Sequence, residues 1–309
     1  MPTSVVLQIA LIGLAKSGII AMLAIGVVLI YRTTGVVNLA HWAIGLVGVV
    51  TYVLLTGETG VPPLLAAAAG VAVSVLAGAL AQRVVFSRIG KGEAVTMILI
   101  ALGVGAFFAA VAQMLLRGQR GEILVAPFLP GETIDLMGTV ISASELITIL
   151  IAVGSAAVLL PWLKRSRSGR ALRAVAQNRE AAQLAGIDSA RYAELAWMIG
   201  SGLAGLALLL LIPHSAGAQG GVLSVVHLVP LGSLLLPAFG AALVGGLISL
   251  PAALAGSLIF GLVQELLILA PAPISDERDI LAFVAITVLL LLRTERFFAS
   301  NAELEALRS

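Results

Sequence analysis

The chain has 309 residues, of which 60% are hydrophobic and only 11% are charged, and its mean hydropathy is +1.11. This balance excludes a water-soluble globular protein, because most of the surface must face a solvent as apolar as lipid. The net charge of +2 gives no indication of nucleic-acid binding, and the absence of cysteine excludes disulfides and thiol catalysis.

Charge-free runs long enough to cross a bilayer, about 20 residues each, fill the chain. In chain order they are 5–31, interrupted only by Lys16, then 33–57, 59–82, 95–116 and 146–163. The uncharged stretch 195–264 is too long for one crossing, and Pro213, Pro230 and Pro251 are expected to break it into about three helices. A short apolar run, 280–292, closes the series. We predict an all-α polytopic bundle of about eight or nine spans, a single transmembrane domain over residues 1–309.

Basic and acidic residues alternate between the connections of these spans. Most basic residues lie in 83–91, in 164–191 and in the tail, whereas the alternate connections are acidic, with Glu58 and members of 122–135 and 276–279. Because short loops rich in Lys and Arg stay in the cytoplasm, we predict an outside N-terminus and a cytoplasmic tail over about 294–309. A cytoplasmic hairpin at 249–251 completes nine crossings, and a re-entrant segment at 39–56 would lower that count.

The segment 164–191 is the only long polar stretch with helical apolar periodicity. Leu172, Val175, Ala176, Ala182 and Ala185 can share one face, which predicts a pair of amphipathic helices ending at Gly186. Such helices can seat in a groove of a soluble partner, and a glycine after them lets the chain turn back toward the membrane. The alternative is a solvated basic loop that binds lipid headgroups.

Within this segment, residues 180–186 read E-A-A-Q-L-A-G and match the E-A-A-x-x-x-G loop by which permeases of ATP-binding-cassette (ABC) importers contact their ATPases. The chain resembles, over nearly its whole length, the permease subunits of bacterial branched-chain amino acid ABC importers. Residues 166–174 are similar to the S-x-x-G-R-A-x-R-A part of that family's coupling loop, and 35–41 look like its G-x-x-N-x-A-H signature. Segments 82–86 and 239–256 resemble two further family segments more weakly.

The resemblance implies roles for residues at two places. The residues expected to contact an ATPase are Gly169, Arg170, Arg173, Glu180, Ala181, Ala182, Leu184 and Gly186. Near the N-terminus, Asn38, His41 and Trp42 are the candidates for the translocation pathway. Four positions depart from the family's pattern, namely Lys16, Trp42, Gln82 and Leu247. None of them touches the coupling loop, so they leave the transporter class intact and put the substrate in doubt.

The pathway candidates follow a helix break at 33–35, where polar backbone is tolerated only if it is buried in protein or lines a cavity. We expect a helix that starts near Asn38 and points its N-terminus at the pathway, with His41 one turn in. Capping also accounts for Asn38, with His41 then bonded to a neighbouring helix.

Lys16 and Glu265 are the remaining charges inside apolar stretches, where a charge is costly enough to indicate function. Either side chain can snorkel, and the sequence does not say whether they pair. We interpret His214 and His227 as surface residues. No metal site is expected, because no third ligand lies at useful spacing.

The chain contains no G-x-x-x-x-G-K-[ST] phosphate loop and no catalytic constellation within its spans, so neither an enzyme nor a cofactor is expected. The expected function is a permease subunit of an inner-membrane ABC importer for branched-chain or other amino acids. Its expected partners are two ATPases, a second related permease and an extracytoplasmic solute-binding protein. A urea or short-amide permease and an ion-coupled secondary transporter are the alternatives, and a structural membrane protein is a third.

Overall fold

A computed structural model describes residues 3–57, 59–89, 94–116, 122–124, 128–136, 139–215, 222–224 and 234–271, with four positions between 280 and 288. The long helices are α1 (Thr3–Thr34), α2 (His41–Gly57), α3 (Pro63–Ala81), α4 (Ala94–Leu115) and α5 (Ala143–Arg165). After them come α6 (Arg167–Gln177), α7 (Arg179–Leu184), α8 (Ser189–Ser215), α9 (Leu235–Val244) and α10 (Leu250–Leu266). A π-helical turn (Gln82–Phe86) and a final α turn (Ser87–Ile89) prolong α3, and a 3₁₀ turn (Leu267–Leu269) prolongs α10.

Two small antiparallel sheets accompany the helices and were not predicted. Strand β1 (Glu122–Leu124) pairs with β4 (Val222–Ser224), and β2 (Thr133–Leu136) pairs with β3 (Thr139–Ser142). Strand β3 runs directly into α5, where Ser142 and Glu145 form a capping box that fixes the start of the helix. Because the strands are only three or four residues long, the chain is still mainly helical, and the predicted fold class is confirmed.

Six helices in the described part of the chain are long and apolar enough to cross a bilayer, and α2 and α9 are shorter apolar helices. The predicted apolar run 280–292 and the tail lie almost entirely outside the described residues. Helix α8 continues through Pro213 and is described as far as Ser215, two residues beyond the proline at which a break was expected. Pro251 lies in the first turn of α10, where its missing N–H costs no helical hydrogen bond.

Helix α1 lies at the centre of the bundle, with α8, α10, α5 and α9 packed around it. Helix α2 packs instead against α3, α8 and α4, and it is buried along most of its length. Most of α1 and α8 is buried, whereas few residues of α4 and α5 are buried. The exposed side chains of α4 and α5 are largely apolar, as a surface in contact with lipid or with another apolar subunit requires.

Helices α1 and α10 approach with backbone in contact with backbone. A methyl group added at Gly13 would lie 3.2 Å from the carbonyl oxygen of Gly261, and one added at Gly261 would lie 2.6 Å from Cα of Ser17. The hydroxyl of Ser17 donates to the carbonyl of Leu258, 3.2 Å away on α10. Small residues of this kind hold helices together in lipid, where apolar burial gives no driving force.

The same helix pair carries an ion pair whose two members the sequence left unassigned. Nζ of Lys16 lies 2.9 Å from Oε1 of Glu265, and their side chains are 18% and 10% exposed. It is the one ion pair among the described residues, and it joins residues 249 positions apart. Pairing satisfies both charges inside apolar helices, so neither side chain has to snorkel.

The two ends of the bundle differ in composition. At one end the N-terminal turns of α1 contact β3, where the side-chain amide of Gln8 donates to the carbonyl of Val140 at 2.9 Å. At the other end, one cavity is bordered by the last turns of α1 and α5, by α6 and by the turn between α9 and α10. The turn at 249–251 therefore lies at the same end as the basic segment 164–191, as the predicted topology requires.

We predict that Lys16→Met and Glu265→Met each lower the free energy of unfolding by about 2 kcal/mol or more, because each leaves one charge without its partner. The double variant Lys16→Met/Glu265→Met is expected to recover most of this loss, since both charges leave together. The measurement is unfolding of the purified chain by SDS titration in mixed micelles. Strictly additive losses in the double variant would show that the pair contributes no coupling energy.

Candidate functional site

Helices α5 and α6 meet at Ser166, which ends one helix and begins the other. Its backbone is extended, and its hydroxyl accepts a hydrogen bond of 2.8 Å from the backbone N–H of Gly169. A serine in this position satisfies one of the free N–H groups at the helix start. The cap makes the chain turn sharply, so that α6 folds back against the end of α5.

Gly169 is the residue through which α6 seats on α5. A methyl group at this position would lie 2.5 Å from the carbonyl oxygen of Trp162 and 2.6 Å from Cα of Leu163. Because both are backbone atoms of a helix, they cannot move aside for a larger residue. Leu172 and Val175 are buried on the same face of α6, which is the amphipathic face that the sequence predicted.

Two arginines of α6 bond back to the end of α5. Arg170 donates from Nη1 to the carbonyl of Arg165 at 2.6 Å, and Arg173 donates from Nη2 to the carbonyl of Lys164 at 3.0 Å. The last carbonyls of a helix lack partners within it, and a cation beside them is stabilised by the helix dipole. These two residues therefore hold α6 against the bundle, and Arg170 also reaches the surface.

Helix α7 is short, and its start and end are both fixed by hydrogen bonds. Asn178 caps its start by accepting 2.9 Å from the N–H of Ala181. At its end Gly186 has φ +80°, and the N–H of Ile187 donates to the carbonyl of Ala182 at 2.9 Å. This is a Schellman cap, in which glycine takes the left-handed conformation without cost. The predicted pair of helices ending at Gly186 is confirmed.

All of α7 except Ala182 is exposed, and Leu184 is its one large apolar side chain. Leu184 is 92% exposed, and Glu180, Ala181 and Gly186 are exposed beside it, whereas Ala182 is buried. Ala185, which the sequence analysis put on one apolar face with Ala182, is exposed. A helix of six residues turns too few times to bury more than Ala182.

The pathway candidates lie at the helix break between α1 and α2. Residues 35–40 are not helical, Gly35 has φ +72°, and Asn38, Ala40 and His41 are fully buried. Oδ1 of Asn38 accepts from the N–H of Ala40 at 3.1 Å, so Asn38 does serve as a local cap. Its amide nitrogen is buried with no hydrogen-bond partner in the described part of the chain.

His41 is the first residue of α2, not one turn inside it as predicted. Its ring fills the space left by the missing side chain of Gly26, where a methyl group would lie 2.6 Å from Nε2. The backbone carbonyl of Leu23 lies beside the ring, and neither ring nitrogen makes a hydrogen bond of good geometry with a described residue. The alternative that His41 bonds firmly to a neighbouring helix is therefore not supported.

Trp42 is partly buried between two apolar clusters, one containing Tyr52 and the other containing Trp197. The sequence analysis did not single out Trp197 or Ser201 of α8. Both are fully buried, and Nε1 of Trp197 and Oγ of Ser201 have no hydrogen-bond partner among the described residues. In the sequence, these two residues are indicated only by their polar side chains near Gly200. Gly200 is the residue at which α8 crosses α1, opposite Gly26.

The remaining candidates lie apart from these two places. His214 lies in the last turn of α8, half-buried rather than on the surface, and its Nδ1 is 2.9 Å from the carbonyl oxygen of Leu210. His227 falls outside the described residues. The described part of the chain holds no group of three His, Asp or Glu residues able to bind a metal ion.

Curated relatives and a solved structure resemble the chain over most of its length. The high-affinity branched-chain amino acid transport system permease protein BraD of Pseudomonas aeruginosa is 28% identical over 295 residues, covering 91% of this chain and 92% of that protein. LivH of Escherichia coli K12, described in the same words, is 28% identical and covers 90% and 91%. A chain of PsaBC from Streptococcus pneumoniae, solved in complex with Fab, superimposes with a TM-score of 0.51 at 14% identity. It covers 90% of this chain and 89% of that chain, and it shows the fold alone.

The family described as "Branched-chain amino acid transport system / permease component" matches residues 9–293. The match includes the helix break at Asn38, the Lys16–Glu265 pair and the whole of α6 and α7, so it rests on the full bundle and not on one motif. The chain belongs to the family of permease components of branched-chain amino acid transport systems.

Proposed function

We propose that the chain is the permease subunit through which an ABC importer moves branched-chain or other small amino acids, with α6 and α7 as its contact with an ATPase. Membership of the family makes it a multi-pass inner-membrane transporter subunit and not an enzyme, and implies ATPase and binding-protein partners in general. The ATPase stoichiometry, the second permease, the membrane orientation and the residue roles are parts of the proposal.

The exposure of Leu184 is the observation that carries the coupling role. A leucine that is 92% exposed on a capped helix adds almost no apolar burial to the stability of the isolated chain, since nearly all of its surface is accessible to solvent. Leu184 lies on α7, which directly follows α6, and α6 is fixed to the end of α5 through Gly169, Arg170 and Arg173. A displacement of Leu184 would therefore be transmitted through α6 to α5, and from α5 to α1.

Three features of the chain fit this assembly. Helices α4 and α5 leave broad apolar faces that suit a second permease. The end of the bundle with α6 and α7 carries many of the basic residues, which supports a cytoplasmic location for it under the positive-inside rule. The helix break at 35–40, with the buried and unpartnered amide nitrogen of Asn38, suits a solute pathway.

The rival class of ion-coupled secondary transporters needs a titratable group free to exchange its ion. Glu265 was the candidate for that role, but its carboxylate forms an ion pair with Lys16, with Oε1 2.9 Å from Nζ. The urea or short-amide alternative differs only in the solute, so uptake competition separates it from amino acid transport.

We predict that Leu184→Asp abolishes recovery of the ATPases with the tagged chain, because it puts a charge at the centre of an apolar contact. The measurement is affinity purification from native membranes in mild detergent, followed by identification of the bound proteins. Ile134→Asp is the matched control, since Ile134 is 42% exposed at the opposite end of the bundle. Equal ATPase recovery with both variants would contradict the docking role of α7.

We predict that Gly169→Ala loosens α6 from α5 and uncouples ATP hydrolysis from uptake while the chain still inserts. Its methyl group would meet backbone atoms at 2.5 to 2.6 Å, whereas Gly154→Ala in α5 meets no atom within 4 Å and serves as the control. The measurement is ATPase activity and solute uptake in proteoliposomes of the assembled transporter. Unchanged coupling in Gly169→Ala would show that the tight seat is unnecessary.

We predict that Asn38→Ala lowers leucine uptake by tenfold or more, about 1.4 kcal/mol, while assembly with the ATPases persists. The variant removes a buried amide whose nitrogen is unpartnered in the described structure. The measurement is uptake of labelled leucine in proteoliposomes, with unlabelled valine or urea as competitors. Thr51→Ala is the control in the following helix, α2, because the Thr51 hydroxyl donates to the carbonyl of Val47 within that helix. Full uptake in Asn38→Ala would leave Asn38 as a cap alone.

A further inference from the structure

A cavity of about 190 Å³ opens beside the coupling helices, at the end of the bundle assigned above to the cytoplasm. The last turns of α1 and α5, helix α6 and the turn between α9 and α10 enclose it. Its deep walls are apolar and include Leu29, Leu163 and Leu172. Three cations, Arg32, Lys164 and Arg173, also border it, and none of its lining residues is acidic.

The positive charge at this cavity is not compensated within the described structure. The only ion pair among the described residues joins Lys16 to Glu265, near the middle of α1 and away from this cavity. Arg173 uses one nitrogen on the carbonyl of Lys164, but its Nε is buried without a hydrogen-bond partner. Three cations around one apolar space repel each other, so an anion bound between them would relieve a real electrostatic cost.

The shape of the cavity indicates what kind of anion it suits. Sites for whole small molecules usually measure about 300–1,000 Å³, so this cavity accepts only part of a larger molecule. Its mouth is bordered by exposed residues, including Lys164, Pro251 and Ile248, which is 47% exposed. Apolar walls with a cationic rim at the bilayer surface suit a molecule whose chain enters and whose negative headgroup stays at the rim.

We propose that this cavity is a binding site for an anionic phospholipid of the cytoplasmic leaflet, with its phosphate held by Arg32, Lys164 and Arg173 and acyl or glycerol carbons against the leucines. The site lies between α6 and the bundle, so its occupant contacts the helix that precedes α7 and Leu184. The inference rests on the proposed function only for the assignment of this end to the cytoplasm.

The test uses the chain with its co-purified partners, reconstituted in nanodiscs of phosphatidylcholine and phosphatidylglycerol in equal parts. Native mass spectrometry after extraction counts the phosphatidylglycerol that each variant retains. We expect Arg32→Gln to weaken retention about fivefold, the effect of one cation at a membrane surface. Ala176→Phe fills the cavity without changing charge and is expected to weaken retention as well. Arg167→Gln is the control, because Arg167 is exposed on the same helix and does not line the cavity.

Three outcomes would overturn the proposal. Equal retention in all variants would mean that lipid binds this surface without a built site. If Arg167→Gln reduced phosphatidylglycerol retention as much as Arg32→Gln, the effect would come from the general positive charge of this surface and not from the cavity. Displacement of phosphatidylglycerol by millimolar inorganic phosphate would indicate a soluble anion. Recovery of the ATPases is scored separately, so failure of the lipid site and failure of the coupling role are distinguishable.

Discussion

Contact between the backbones of α1 and its neighbours holds the bundle together. At Gly13 and Gly261 α1 meets α10, and at Gly26 and Gly200 it meets α8, in each case with no room for another side chain. Water is absent from the bilayer core, so apolar burial cannot drive this association, and close packing with a few hydrogen bonds must supply it. The ion pair of Lys16 with Glu265 adds a long-range link to the same helix.

The central place of α1 explains why the chain can bury a break immediately after it. The non-helical residues 35–40 carry peptide groups that lipid could not satisfy, and Val36, Asn38 and Ala40 among them are buried in protein. Gly26 leaves the space that His41 occupies, and Gly105 of α4 leaves the space beside Ala40, where a methyl group would lie 3.2 Å from Cα. Small residues on three helices therefore make the polar interior of the bundle possible.

The same helix also connects the two ends of the molecule. Its last turn borders the cavity beside α6, and α6 is tied to α5 by Gly169 and by two arginines. Force applied at Leu184 has a short route of packed elements into α1 and the helix break. The proposed coupling helices and the proposed pathway are thus joined through contacts that involve mostly backbone atoms, which deform less than side chains do.

The sequence by itself determined the helical class, the number and order of apolar helices within the described residues, the helix pair at 167–184 and the family. These features depend on local composition, on capping residues such as Ser166 and Gly186, and on motifs of contiguous residues. Proline usually ends a helix, yet α8 continues through Pro213. Pro213 lies in the last turn, where it disturbs few hydrogen bonds of the helix.

Only the tertiary structure decided which distant residues meet. The pairing of Lys16 with Glu265, the seat of His41 on Gly26 and the burial of Trp197 and Ser201 join residues far apart in the chain. No periodicity within one helix encodes such contacts, since they depend on how helices cross. The exposure of Leu184 and Ala185 was likewise invisible in the sequence, because helical spacing says which residues share a face but not which face the bundle covers.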